Sequence, residues 1–209
     1  MAELHPALKP VRFQRTFCMV KPDGVKRGII GDIIARMERA GLKIVAMKML
    51  IPTKEQIEQH IPASDEAWVA RLGTKTMSGF ENLDVTPKEV LGTEEPSELG
   101  QIVVEGILGY LTSGPVVCMV VEGIESIDMV RKLAGHTLPF KADAGTIRGD
   151  YSVDSPSIAN TQRRAIHNVM HASENPKEAA NEIKLWFTDE EIHDYLRSGE
   201  DIMYEPYYS

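Results

Sequence analysis

Cysteine is scarce in this chain, with Cys18 and Cys118 the only two among 209 residues. Each lies in a short apolar run, Phe17-Cys18-Met19-Val20 and Val116-Val117-Cys118-Met119. Both therefore read as buried thiols of a reducing compartment, and not as a disulfide or a metal pair. No apolar run approaches the length of a membrane span, and the N-terminus lacks the charged-then-apolar pattern of a signal peptide. These absences predict a cytoplasmic protein with no membrane partner. Positive charge is also short: 23 Lys and Arg stand against 31 Asp and Glu, for a net charge of −8. That balance argues against a nucleic-acid surface. The sequence shows no metal-ligand cluster, internal repeat or low-complexity tract. With 43% hydrophobic residues it has enough apolar content for one globular core.

Hydrophobic periodicity and cap signals predict a strand near 15–21, a helix from Gly28 to Ala40 stopped by Gly41, and a strand from Leu42 to Ile51. A helix follows, opened by the capping box of Thr53 and Gln56. Further start signals stand at Ser64 and at Thr86-Pro87-Lys88-Glu89, so residues 63–105 read as an inserted, mostly helical segment. Beyond it come a strand from Pro115 to Val121, a helix from Ser126 to Ala134, a strand from Asn168 to His171 and a helix from Pro176 to Phe187. Strand, helix, strand, strand, helix, strand is the split βαβ order. It predicts an α/β (α+β) fold, a ferredoxin-like βαββαβ sandwich with an antiparallel sheet. The extension from 188 to 209 carries a short helix signal and ends in Tyr204-Glu205-Pro206-Tyr207-Tyr208, which either packs on a neighbouring subunit or frays.

The chemistry centres on His171. It sits in Asn168-Val169-Met170-His171-Ala172-Ser173-Glu174-Asn175-Pro176, where an apolar run meets a helix start. Asn175 can cap that helix, with Pro176 at its first position and Glu178 reaching back, which places the imidazole beside a site suited to phosphate. Along the helix, Ala179, Ile183, Trp186 and Phe187 share an apolar face with Glu182. An unpaired carboxylate there would be costly, so His171 is its expected partner. A carboxylate-oriented histidine is a potential nucleophile. Lys21 stands at a strand end beside the turn Pro22-Asp23-Gly24, and Thr137 and Arg148 are the phosphate-capable side chains of the long connection 135–150.

Taken together, Arg15 to Gly24, Arg27 to Gly31, Ser113 to Val117, Arg131-Lys132-Leu133, Gly145 to Asp150, Asn168 to Ser173 and Glu182 to Phe187 resemble the nucleoside diphosphate kinase family. The resemblance covers about residues 12–61 and 106–190, and implies a single domain of that kind over 1–209. It implies a ping-pong transfer of the γ-phosphate of a nucleoside triphosphate to a nucleoside diphosphate through a phosphohistidine. His171 would be the phosphorylated residue, Glu182 its orienting carboxylate, and Lys21, Arg131, Thr137, Arg148 and Asn168 the nucleotide contacts. It further implies Mg²⁺ held mainly by the nucleotide phosphates with no protein ligand, ATP and other nucleoside di- and triphosphates as substrates, and a homo-oligomer, a dimer-based tetramer or hexamer.

The chain also departs from the family pattern. Ile61-Pro62 follows His60 where tyrosine is usual, the base-stacking aromatic falls in the insertion with Trp68 as a weak substitute, and Ala172 and Glu174 replace glycine and aspartate. The segment between Asp150 and Asn168 is about ten residues longer than typical and ends in Arg163-Arg164, which face either the nucleotide or, as the favoured expectation, solvent. Two other classes stay open on sequence: a nucleotide-binding regulator on the same scaffold without catalysis, and an interaction module docking through the insertion. An RNA-binding version of the latter is opposed by the acidic charge and the absence of an aromatic pair on the Val116 to Val121 strand.

Overall fold

A computed structural model describes residues 13–81 and 83–200. Strands β1 (Phe13–Val20), β2 (Lys43–Leu50), β3 (Val116–Ile124) and β4 (Met170–Ala172) form a sheet in the order β2-β3-β1-β4, with each neighbouring pair antiparallel. This is the ferredoxin-like arrangement expected from the element order. Both sheet faces are covered, which explains why the two central strands are near-continuous apolar runs: β3 is buried at every residue but its last. The pleat divides them. Phe17, Met19, Cys118 and Val120 enter one core, and Cys18, Val20, Val117, Met119 and Val121 the other.

The two crossover helices cover the second face. After the short α1 (Pro22–Lys26), α2 (Ile30–Arg39) contributes Ile33 and Met37, and α7 (Ser126–Ala134) contributes Val130 and Ala134. The opposite face is covered by α3 (Lys54–His60), α6 (Pro96–Leu111) and α10 (Pro176–Trp186) through Ile57, Val104, Leu108 and Trp186. The Thr53 and Gln56 capping box opens α3 as expected. Within the inserted stretch, α4 (Glu66–Ser78) is capped by Asp65 and not Ser64, while the box of Thr86 and Glu89 opens α5 (Pro87–Leu91). Trp68 packs against the core. Where α4 crosses α6, a Cβ on Gly73 would run into the Pro96 carbonyl, and one on Gly100 into the carbonyl of Val69. Only two glycines let these backbones approach so closely.

The connection 135–150 is less irregular than its sequence suggests, since it contains a 3₁₀ turn at Pro139–Lys141 and the start of α8 (Ile147–Tyr151), capped by Thr146. The next segment holds α9 (Pro156–Thr161). Strand β4 starts at Met170 and not at Asn168, because Val169 adopts a left-handed backbone with φ of 69°. Arg163 is exposed, as expected, whereas Arg164 is half-buried. Arg164 forms a two-pronged pair with Asp154, and Arg163 donates to the Val90 carbonyl. At the sheet edge, residues 193–197 lie along the start of β2: His193 N donates to Val45 O at 2.8 Å and the Tyr195 hydroxyl to Ile44 O at 2.8 Å. The buried Lys43 ammonium joins Glu122 and Glu200 at 3.0 and 3.1 Å. The aromatic terminus Tyr204 to Tyr208 lies outside the described residues. Among those described, no helix is long and apolar enough to cross a membrane.

Candidate active site

His171 lies on β4 opposite Met19, where the sheet edge meets the first turn of α10. Asn175 caps α10 by accepting from Glu178 N at 3.0 Å, and the Glu178 carboxylate reaches one residue further back than expected, to Glu174 N at 2.8 Å. The cap fixes the helix start, and two turns on Glu182 projects from its buried face. The Nε2 atom of His171 stands 2.7 Å from Glu182 Oε1, and Glu182 Oε2 accepts from the Ser173 hydroxyl at 2.5 Å.

A second imidazole completes this corner. His60, the last residue of α3, places Nδ1 at 3.2 Å from the same Oε1, and that nitrogen accepts from Trp186 Nε1 at 3.4 Å. The two imidazole rings are 4.6 Å apart and nearly perpendicular. His60 and Glu182 side chains are 3% and 5% exposed, whereas His171 is 22% exposed, so one edge of His171 alone opens outward. Burial pushes the His171 pKa down to about 3, helped by the nearby charges of Lys21 and Arg148. Burial and His171 push His60 down to about 3 as well, against the pull of Glu182. Burial raises the pKa of Glu182, opposed by His60 and by the Ser173 hydrogen bond. At neutral pH the His171 ring is therefore uncharged and carries a free lone pair.

Beside it stands a cationic wall. Lys21 directly follows β1, and its ammonium donates to Asn168 Oδ1 at 2.6 Å and lies 5.7 Å from the centre of the Tyr110 ring. Burial, and then Arg148, bring its pKa down to about 7, while Asp23 opposes this. Asp23 holds the corner by accepting the Tyr110 hydroxyl at 2.5 Å and Val169 N at 3.1 Å, which fixes the left-handed residue before β4. Arg148 is buried and donates to the carbonyls of Gly135, Met170 and Asn168 at 2.7, 2.8 and 3.2 Å. Burial lowers its pKa to about 10, so it stays charged at neutral pH. Asn168 Nδ2 donates to the Thr137 carbonyl at 2.9 Å.

The structure thus brings His171, Glu182, Lys21, Asn168 and Arg148 into one network. Arg131 and Thr137 are exposed at its rim: Arg131 donates to the Glu174 carbonyl at 2.6 Å, and Thr137 meets the network through its backbone. Sequence reasoning gave no role to His60, Ser173, Tyr110 or Asp23. Ser173 is only two residues from His171 and His60 ends an amphipathic helix, which are weak signals; nothing local links Tyr110 to Asp23. The sequence also showed no metal-ligand cluster, yet folding gathers His60, His171 and Glu182 with their donor atoms within 4.8 Å of one another. These ligands come from three separate elements, so no spacing could reveal them. Both cysteines are buried free thiols, and burial raises the pKa of Cys118 to about 12.

Comparison with known proteins agrees with this geometry. The family model described as nucleoside diphosphate kinase matches residues 14–79 and 97–192. The unmatched stretch 80–96 lies within the segment read as an insertion. The nucleoside diphosphate kinase of Pyrobaculum aerophilum is 45% identical over 179 residues, 86% of this chain and 97% of that protein. A crystal structure of an NDP kinase from the same organism superposes with a TM-score of 0.83 at 43% identity, covering 87% of this chain and 100% of the other. A transition-state mimic of the enzyme from Borrelia burgdorferi, with bound vanadate and ADP, gives a TM-score of 0.70 at 39% identity, with 91% and 96% of the two chains covered. With the fold, the matched length and the identity in agreement, the chain belongs to the nucleoside diphosphate kinase family.

Proposed function

We propose that the chain carries out its family's phosphoryl transfer on His171, in two half-reactions. The Nδ1 lone pair attacks the γ-phosphorus of a nucleoside triphosphate, the bond to the β–γ bridging oxygen breaks, and the diphosphate leaves. A second diphosphate then takes the group through its terminal oxygen, restoring the imidazole. The observation that carries this reading is the pairing of Nε2 with a buried carboxylate while the ring stays neutral and partly exposed. Nε2 keeps the ring proton, and the charge of the Glu182 carboxylate 2.7 Å away supports the positive charge that grows on the ring as the N–P bond forms. Lys21, Arg148 and Arg131 supply the positive field for the equatorial phosphoryl oxygens, and Asn168 holds the Lys21 ammonium in place.

Mg²⁺ enters as part of the substrate, held by the nucleotide phosphates. The carboxylates of the site support this, since Asp23 is engaged by Tyr110 and Val169 N, and Glu182 stands beside two imidazole nitrogens, a donor set that does not suit Mg²⁺. ATP and other nucleoside di- and triphosphates are the substrates, and the compartment is the cytoplasm, consistent with two free thiols. The assembly is a homo-oligomer built from dimers, a tetramer or hexamer. Edge strand β2 supports it by leaving Met47, Met49 and the following Ile51 55%, 57% and 66% exposed. Light scattering checks the assembly, and a monomer refutes it.

Incubation with γ-labelled ATP and Mg²⁺ tests the central claim. An acid-labile, base-stable phosphate is expected on the wild-type protein and none on a folded His171→Ala variant. Label on His60, His136 or His167 refutes the assignment.

A further inference from the structure

Glu182 Oε1 is the least satisfied atom in this corner. It is fully buried, as is His171 Nε2, and although two imidazole nitrogens stand 2.7 and 3.2 Å from it, neither contact has the line-up of a hydrogen bond. The nearby hydrogen bonds go elsewhere. Ser173 serves Oε2, and Trp186 donates to His60 Nδ1, a nitrogen that must then present its lone pair and cannot also donate to Glu182. A lone pair and a carboxylate oxygen therefore face each other in a buried space, an arrangement a positive ion would relieve.

We propose that His60 Nδ1, His171 Nε2 and Glu182 Oε1 form an inhibitory site for a borderline divalent cation of the Zn²⁺ class. Two imidazoles and one carboxylate are a common zinc set, with a fourth position left for water. Bonds of about 2.1 Å at the tetrahedral angle separate neighbouring donors by roughly 3.4 Å. The present spans of 2.7 and 3.2 Å to Glu182 Oε1 thus need to open slightly, and all three donor atoms already lie within 4.8 Å of one another. Imidazole donors select zinc, copper or nickel over Mg²⁺, which demands an octahedral oxygen shell, so the substrate's own metal does not compete.

The consequence follows from proton placement. A neutral imidazole has one N–H, and an ion that takes the Nε2 lone pair leaves that proton on Nδ1. The nitrogen that attacks phosphorus is then blocked, with no proton gained or lost overall. Inhibition in this form rests on the assignment of His171 as the phosphorylated residue; the binding site itself does not.

The experiment uses the full chain without nucleotide. Co²⁺, as a visible stand-in for Zn²⁺, should give one tetrahedral absorption band per chain, and Zn²⁺ should displace it. His60→Gln and Glu182→Gln, each checked for an unchanged melting profile, should weaken Zn²⁺ at least about tenfold, whereas His136→Ala should not. In the wild type, Zn²⁺ should suppress phosphate uptake from MgATP in proportion to occupancy. Nitrogen-15 spectra should show the His171 proton moving to Nδ1. Absence of the band, or equal Zn²⁺ affinity in wild type and both variants, overturns the proposal. If the band behaves as expected but zinc-free protein takes no phosphate at His171, the metal site stands and the functional reading fails.

Discussion

The corner around His171 and the helical pair α4 and α6 obey opposite rules. In the pair and the short α5 between them, local choices agree with the final structure: Asp65 caps α4 and Thr86 caps α5, Pro87 and Pro96 stand at the starts of α5 and α6, and Gly73 and Gly100 sit where the backbones of α4 and α6 touch. Around His171, those choices conflict. A valine takes a left-handed backbone, a half-buried lysine lies within electrostatic reach of a buried arginine, and a carboxylate oxygen lies among nitrogens without an aligned donor. The first region is built for stability, and the second holds charge and strain that only its surroundings sustain. Substitutions should therefore separate activity from stability along the same line.

The largest separation is expected at Glu182. Glu182→Gln should slow phosphoryl transfer about 10²- to 10³-fold in single-turnover measurements while nucleotide affinity and melting temperature hold, because it removes a charge that acts mainly on the transition state. A large loss of melting temperature would show that the carboxylate is structural and break the contrast. The reverse case is Gly100→Ala. Its methyl must push α4 and α6 apart, so stability should fall by about 1–3 kcal/mol in chemical denaturation, with turnover of the folded protein unchanged.

A smaller effect is expected from pH. The Lys21 pKa is lowered to about 7 from its ordinary 10.5, so the free protein loses this charge as pH rises through 7. A bound triphosphate favours the ammonium, and nucleotide affinity should therefore fall with rising pH in that window, by about tenfold. Lys21→Arg should abolish the inflection, since a guanidinium stays charged throughout. An inflection that survives in the variant would assign it to another group. Smallest of all, Thr86→Ala should cost about 1 kcal/mol by removing a capping box, and leave single-turnover rates untouched.

The same contrast explains what the sequence could disclose. Helix starts and strand runs are local, so Ser126 to Ala134 is read to the residue, and the sheet order follows from the sequence of elements. The pairing of His171 with Glu182 was legible because both lie on one strand–helix unit and an apolar helix face makes a carboxylate conspicuous. His60 and Tyr110 were not, because α3 and α6 reach the site only through tertiary packing. Val169 escaped for a different reason: its left-handed backbone is imposed by Asp23, against the preference of a β-branched residue. Arg148 was legible as a cation, yet nothing local told that three backbone carbonyls would engage it.

The placement of β4 beside β1 also has a kinetic meaning. Lys21 and Asn168 meet across 147 residues of chain, and His171 enters the sheet only when β4 docks against a strand made near the beginning of synthesis. Contacts of such long range carry a loop-closure cost that local helices do not, so they are expected to close after the helices have formed. His171 is thus expected among the last groups to be assembled. Recovery of phosphate uptake during refolding should lag behind recovery of helical signal, so the chemistry itself keeps time for the final step of folding.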